Sequence, residues 1–236
     1  LSDGTYVYSV MRSYNAVKYA NGVLNNASQP AALKSVVVAM LNYGAAAQVQ
    51  LNYKTDSLMN AGLTAAQQAL VSAYNGNMMS DVKAVDSSKV GMFTYNGFSK
   101  RYPSISLKGA FAINYYFTAS KSVDAGMTLY YWTEADYNAA TTLTTGNATG
   151  SVVMEATGSA GQYKAAVSGI TAKQMDETIY VAAVYESNGV TYSTGVLAYS
   201  LGKYCEDNAA SSDAALKGIA QATAVYGYYA KAYFGN

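Results

Sequence analysis

The chain has 236 residues, 51% of them hydrophobic and only 12% charged, with a formal net charge of +1. Disorder is excluded, because a disordered segment combines low hydrophobicity with high net charge. The near-neutral balance argues against nucleic acid as a partner, since such binding draws on a basic stripe that displaces counterions.

In chain order the first predicted element is a helical hairpin. Val10, Tyr14, Val17 and Leu24 recur at helical spacing, and a loop with Asn25, Asn26, Ser28 and Pro30 follows. The stripe Leu33, Val37, Met40, Gly44, Ala47, Leu51 then continues for about six turns of 3.6 residues. Thr64 to Tyr74 reads as a third helix, with Thr64 and Gln67 spaced as a capping box.

From about Val90 the hydrophobic period changes from 3.6 to 2. Phe111, Ile113, Tyr115 and Phe117 alternate, then Met127, Leu129 and Tyr131, then Val152 and Met154. Tyr163, Ala165 and Val167 come next, and Ile179, Val181 and Ala183 after them. Short alternating runs divided by Gly, Ser, Thr and Asp predict antiparallel strands. Asn188-Gly189, between two such runs, is the clearest hairpin signal in the chain.

A second helical hairpin ends the chain, with the stripe Leu216, Ile219, Ala220, Thr223, Gly227, Ala230, Phe234 behind the capping residues Ser212 and Asp213. It repeats the first. Leu33, Lys34, Ala39, Tyr43, Gly44 and Ala47 are identical, at one ungapped offset, to Leu216, Lys217, Ala222, Tyr226, Gly227 and Ala230. Just upstream, Tyr14, Lys18 and Tyr19 match Tyr199, Lys203 and Tyr204. Gly44 and Gly227 lie on apolar helix faces, where glycine costs about 1 kcal/mol relative to Ala. They imply close approach where the long helices cross, with a ligand groove as the alternative.

The predicted fold is α+β. An antiparallel β-sandwich of immunoglobulin-like type (90–198) is inserted between an N-terminal helical arm (1–53) and a C-terminal one (199–236). Residues 54–89 form a connecting helical segment. The matched helices should pack as a pair and bring the termini together. No apolar run approaches the ~18 residues of a membrane span, so none is expected. The chain opens at Leu1 without a signal-peptide pattern and reads as a monomeric module of something larger.

The blocks SYNAVKYANGVLNN, LKSVVVAMLNYGAAAQ and NYKTDSLMNAGL, with AALKGIAQATAVYGYYAKAYFG at the C-terminal end, carry a family resemblance. The chain resembles a module of large secreted and surface proteins of gut-associated Gram-positive bacteria. The NYGAAAQ block is the specific part, and the strands match only loosely. The resemblance implies an extracellular, non-catalytic module, and some proteins of this kind are immunoglobulin-binding superantigens. It supplies no catalytic residue.

The residues agree with a non-catalytic reading. Histidine is absent, which removes the commonest general base and metal ligand. Cys205, the one cysteine, permits neither an intrachain disulfide nor a thiolate zinc site, and it aligns with Ala20 as a small buried side chain. Ser99-Lys100 and Ser120-Lys121 lack the helix-start context of a Ser-Lys hydrolase. Glu134 and Asp136 are the acid pair nearest the aromatics, and turn capping explains them better than glycoside hydrolysis. No calcium-loop spacing and no glycine-rich phosphate loop occurs, and neither cofactor nor metal is expected.

Tyrosine is the abundant specialised residue: 24 against five Phe and one Trp. Its apolar ring and polar tip suit partly wet surfaces and recognition. If the alternating residues above face the core, parity turns Asn114, Tyr116, Tyr130, Trp132 and Tyr180 outward. Tyr116, Tyr130, Trp132 and Tyr180 are therefore the candidate binding residues, on what should be one exposed face. Cross-strand stabilisation of the sheet is the alternative role. The expected partner is a host protein or glycoprotein, with immunoglobulin the sharpest candidate. A carbohydrate-binding module and a structural spacer are the other two readings.

Overall fold

A computed structural model describes residues 15–107 and 110–235. Val10 and Tyr14 of the first predicted helix lie outside the described residues, as does Leu1 and with it the expected meeting of the termini.

Helix α1 (Ala16–Leu24) starts at Asn15, whose side-chain oxygen accepts from the Lys18 amide at 2.8 Å and satisfies one of the orphan donors of the first turn. Helix α2 (Ala31–Gln50) follows Pro30. It is buried on several sides, through Val36, Val37, Val38, Ala39, Leu41 and Ala45. Helix α1 covers one side with Ala20, Val23 and Leu24, and Met59, Leu63, Leu70 and Val71 cover another. The single stripe read from the sequence is thus corrected: Met40, Gly44 and Ala47 are only half-buried, and Leu51, past the helix end, is 60% exposed. By length and composition alone α2 is apolar enough to cross a membrane, with a mean hydropathy of 1.2, a test that a buried core helix also passes.

The capping box forms as expected: Thr64 accepts from the Gln67 amide, and the Gln67 side chain accepts from the Thr64 amide at 2.9 Å. The helix it opens, α3 (Ala65–Gln68), ends at Gln68, well short of Tyr74. Tertiary anchors take over there. The Leu70 carbonyl accepts from Ser35 Oγ at 2.8 Å, and Leu70 and Val71 pack on the α1–α2 cluster.

Eight strands follow: β1 (Phe98–Ser106), β2 (Phe111–Ala119), β3 (Met127–Trp132), β4 (Gly150–Ala156), β5 (Gln162–Ile170), β6 (Ile179–Ser187), β7 (Val190–Ser193) and β8 (Leu197–Tyr199). They form one antiparallel sheet in the order β1-β2-β5-β4-β3-β6-β7, with β8 also on β6. Short helix α4 (Glu134–Ala139) follows β3, and α5 (Leu201–Asn208) and α6 (Ala214–Phe234) end the chain. Asn188 and Gly189 take φ of 51° and 73° and close the β6–β7 hairpin. Both positive values suit the tight turn that matches strand twist.

The sheet curls until it is nearly a barrel. Tyr185 Oη donates to the Gly97 carbonyl at 2.6 Å, Phe98 meets the Tyr185 ring edge-on at 5.1 Å, and Arg101 donates to the Thr194 carbonyl at 2.8 Å. Gly97 itself lies on the Tyr192 ring, where any Cβ would collide. Inside sit Ile113, Tyr115, Phe117, Met127, Leu129, Met154, Ala165, Val167, Ile179, Val181 and Ala183. These are the residues that strand alternation assigns to the core. Met79, Met175, Leu201, Cys205 and Ala224 close the cluster from the helical side.

The matched helices α2 and α6 do pack together. The Tyr43 and Tyr226 rings stack at 5.7 Å, Ala39 and Val225 share a cluster with Met78, and Tyr229 Oη accepts from the Ser72 amide at 2.8 Å. The glycines serve a different purpose from the one expected of them. A Cβ on Gly44 would strike Met59 Sδ, and one on Gly227 would lie 2.7 Å from Met79 Cε and 2.9 Å from Met175 Sδ. They admit methionines, not the partner helix.

Candidate functional site

Strand parity places the four candidate aromatics on the side expected, but it does not leave them together or all exposed. Tyr116 is on β2, with β5 and β4 between it and β3, so it is not adjacent to Tyr130 and Trp132. Trp132 and Tyr180 are buried, which overturns their expected exposure. They form a second core on the outer side of β3 and β6, with Phe93, Tyr137, Leu143 and Ala182. Residues 85–93, α4 and the turn near 140–148 lie over that side and shut it from water. Tyr130 is half-buried at the edge of the same cluster.

In this second core the polar tips of Trp132 and Tyr137 have hydrogen-bond partners. Trp132 Nε1 donates to Asn147 Oδ1 at 3.1 Å, and its ring meets Phe93 edge-on at 5.3 Å. Tyr180 stacks on Tyr137 at 3.5 Å, and Tyr137 Oη accepts from the Asp86 amide at 2.7 Å. Burial pushes the Tyr180 hydroxyl up to about 12. Buried aromatics with such partners are structural.

The open aromatic surface is on the other limb of the sheet. Tyr102 of β1 and Tyr116 of β2 are cross-strand partners, and their rings stack nearly parallel at 5.0 Å and 7°. The Lys100 ammonium lies 5.6 Å from the Tyr102 ring, and Gln162 Nε2 donates to Tyr102 Oη at 3.3 Å. Beside the pair, Asn114, Val153, Glu155 and Lys164 line a shallow recess of about 280 Å³. Tyr102 escapes a reading by alternation because a bulge between Phe98 and Lys100 shifts the register and Pro103 interrupts the run. That proline was itself a signal, since Pro sits in sheets mainly on edge strands, and β1 is one.

The acid pair read from the sequence, Glu134 and Asp136, is engaged, and so is Asp176. Glu134 pairs with Lys83 and accepts from the Thr178 amide at 3.3 Å. Asp136 accepts from the Thr133 and Thr149 hydroxyls, and these bonds hold its carboxyl below the usual carboxylate value. Asp176 accepts from Lys231 Nζ at 2.7 Å and Ser80 Oγ at 2.8 Å. Burial alone would raise its pKa, but these partners outweigh that and lower it. Burial pushes the Cys205 thiol up to about 12, which removes the thiolate a nucleophile needs. Among the described residues no three metal-ligating side chains cluster. The chain matches no family model, no curated protein and no solved structure.

Proposed function

We propose that this chain is a non-catalytic, extracellular binding module of a bacterial surface protein, and that it docks a protein or glycoprotein through the outer face of β1, β2 and β5. Immunoglobulin is the candidate that the family resemblance supplies. The observation that carries the protein reading is the Tyr102–Tyr116 stack. Two rings that spend facing sides on each other present edges and hydroxyls outward, with Asn114, Lys100 and Lys164 around them. Mixed Tyr, Asn and Lys of this kind suit a protein surface. A carbohydrate-binding module would need an open row of ring faces, and a spacer would need neither. The same reading takes the curled sheet as an immunoglobulin-like sandwich hinged at β4, which pairs with β5 only through Glu155 and Ala156.

The test is binding to immobilised polyclonal immunoglobulin, with a glycan array run in parallel. Tyr102→Ala and Tyr116→Ala should each weaken immunoglobulin binding by at least ~30-fold, the loss of a hot-spot ring at about 2 kcal/mol. Parent-like binding by both variants, or glycan binding alone, would overturn the assignment.

A further inference from the structure

The two helical hairpins are one structural unit used twice, in unequal surroundings. Asn15 caps α1 by accepting from the Lys18 amide, and Ser200, its equivalent, caps α5 by accepting from the Lys203 amide. Gly44 and Gly227 each admit a methionine. The equivalent tyrosines Tyr43 and Tyr226 stack on each other, as equivalent residues do across a pseudo-twofold contact.

The C-terminal hairpin lies on the sheet. Leu201, Gly202, Thr223, Gly227 and Ala230 are buried, against a filling that includes Met79, Met175 and Asp176. Their counterparts in the N-terminal hairpin, Ala16, Val17, Met40, Gly44 and Ala47, are exposed or half-buried. Val17, Gly44 and Ala47 line an apolar groove of about 620 Å³, with Tyr43, Leu51 and Met59. So at matched positions of the stripe Thr223, Gly227 and Ala230 are buried in one copy, while Met40, Gly44 and Ala47 are only half-buried by the described residues in the other.

The sequence ahead of α1 extends the repeat. Ser2, Gly4 and Tyr14 are identical to Ser187, Gly189 and Tyr199, and Asp3 stands for Asn188, all at the ungapped offset that relates α1 to α5. Residues 188–199 carry the turn, β7 and β8, the last strands of the sheet that α5 and α6 close. The N-terminal arm therefore carries the sequence of those final strands as well as that of both helices.

We propose that the groove is the seat of another copy of the sheet unit, homologous to residues 54–185 and lying N-terminal to this arm in the same polypeptide. Helices α1 and α2 close that sheet as α5 and α6 close this one, and the α2–α6 contact is the joint between successive copies of a tandem array. In such arrays each unit buries a face that it cannot cover alone. One detail differs at the joint. Gln48 replaces Lys231 and instead donates to the Lys54 and Ser57 carbonyls, so the Asp176–Lys231 pair has no counterpart there. A second free copy of this chain fits less well, because its own α6 already covers the Met79–Met175 surface.

The test compares the full chain with an extended chain carrying residues 54–185 again ahead of Leu1. Each bears Ala47→Cys at the groove or Val49→Cys on the exposed side of α2, and Cys205, buried in the folded chain, stays silent. Maleimide labelling of Ala47→Cys should slow at least tenfold in the extended chain, while Val49→Cys labels equally in both. The unsubstituted extended chain should resist limited proteolysis throughout. Equal labelling of Ala47→Cys in both chains, or digestion of the added unit alone, would overturn the proposal. Protection of Ala47→Cys in the unextended chain as its concentration rises would overturn it in favour of self-association.

Discussion

On β2 the outward residues Asn114 and Tyr116 stay half-exposed, whereas on β6 the outward Tyr180 and Ala182 are as buried as the inward Val181 and Ala183. The strands alternate in the same way. What differs is a second layer: Phe93, Tyr137 and Leu143, from irregular chain and one short helix, lie over β3 and β6, while the β1–β2–β5 limb keeps an open outer face. Alternation tells which residues share a side of a sheet. Whether that side meets water depends on the rest of the chain, so an outward tyrosine is a candidate contact on one limb and core on the other.

The strongest way to break this comparison is Trp132→Ala. If the covered side is a core, the change should cost about 3–5 kcal/mol of folding stability, and it leaves Asn147 without its indole donor. Denaturant unfolding measures this directly. A midpoint unchanged from the parent would show that the second layer does not belong to the cooperative unit.

The ion pair under α6 comes next. Asp176 is buried, and although burial opposes its ionisation, Lys231 and Ser80 lower its pKa overall. A lowered folded pKa means that the stabilisation is present above the unfolded carboxylate value of ~4 and is lost as pH falls through the folded value. Lys231→Met should cost about 1–3 kcal/mol at neutral pH, nearer the lower figure because water screens the half-exposed ammonium. It should also shrink the loss on acidification. Melting curves between pH 7 and pH 3 test both, and identical acid limbs for parent and variant would remove the pair from the account.

The inner side of the sheet could be read from the sequence almost residue by residue, because its strands alternate cleanly and Asn188-Gly189 fixes one hairpin. The pairing of α2 with α6 was legible too, through the repeated Tyr-Gly. Strand order was not. β2 pairs with β5 across β3 and β4, and a local period carries no information about non-local pairing. The covering of Trp132 and Tyr180 was hidden for a related reason: Phe93, Tyr137 and Leu143 are isolated apolar residues among turn formers, and only the folded chain gathers them. Tyr102 was concealed by the bulge and by Pro103.

The smallest effects concern neighbours on one strand that point opposite ways. Tyr115 faces the core, and its hydroxyl is buried with no hydrogen-bond partner among the described residues. Burial raises its pKa far above the usual tyrosine value, so the group stays neutral throughout the working range. An unpartnered buried hydroxyl is a desolvation cost that phenylalanine avoids at the same shape. Tyr115→Phe should therefore stabilise the protein by about 1 kcal/mol, read as a higher denaturant midpoint with an unchanged slope. Tyr116, one residue on, loses only its stacking with Tyr102 when truncated, worth about 0.2–1 kcal/mol for a cross-strand pair. Tyr116→Ala should thus barely move the melting temperature while it weakens ligand binding. A drop as large as that of Trp132→Ala would mean that the β1–β2–β5 face is also covered, and the contrast between the two limbs would disappear.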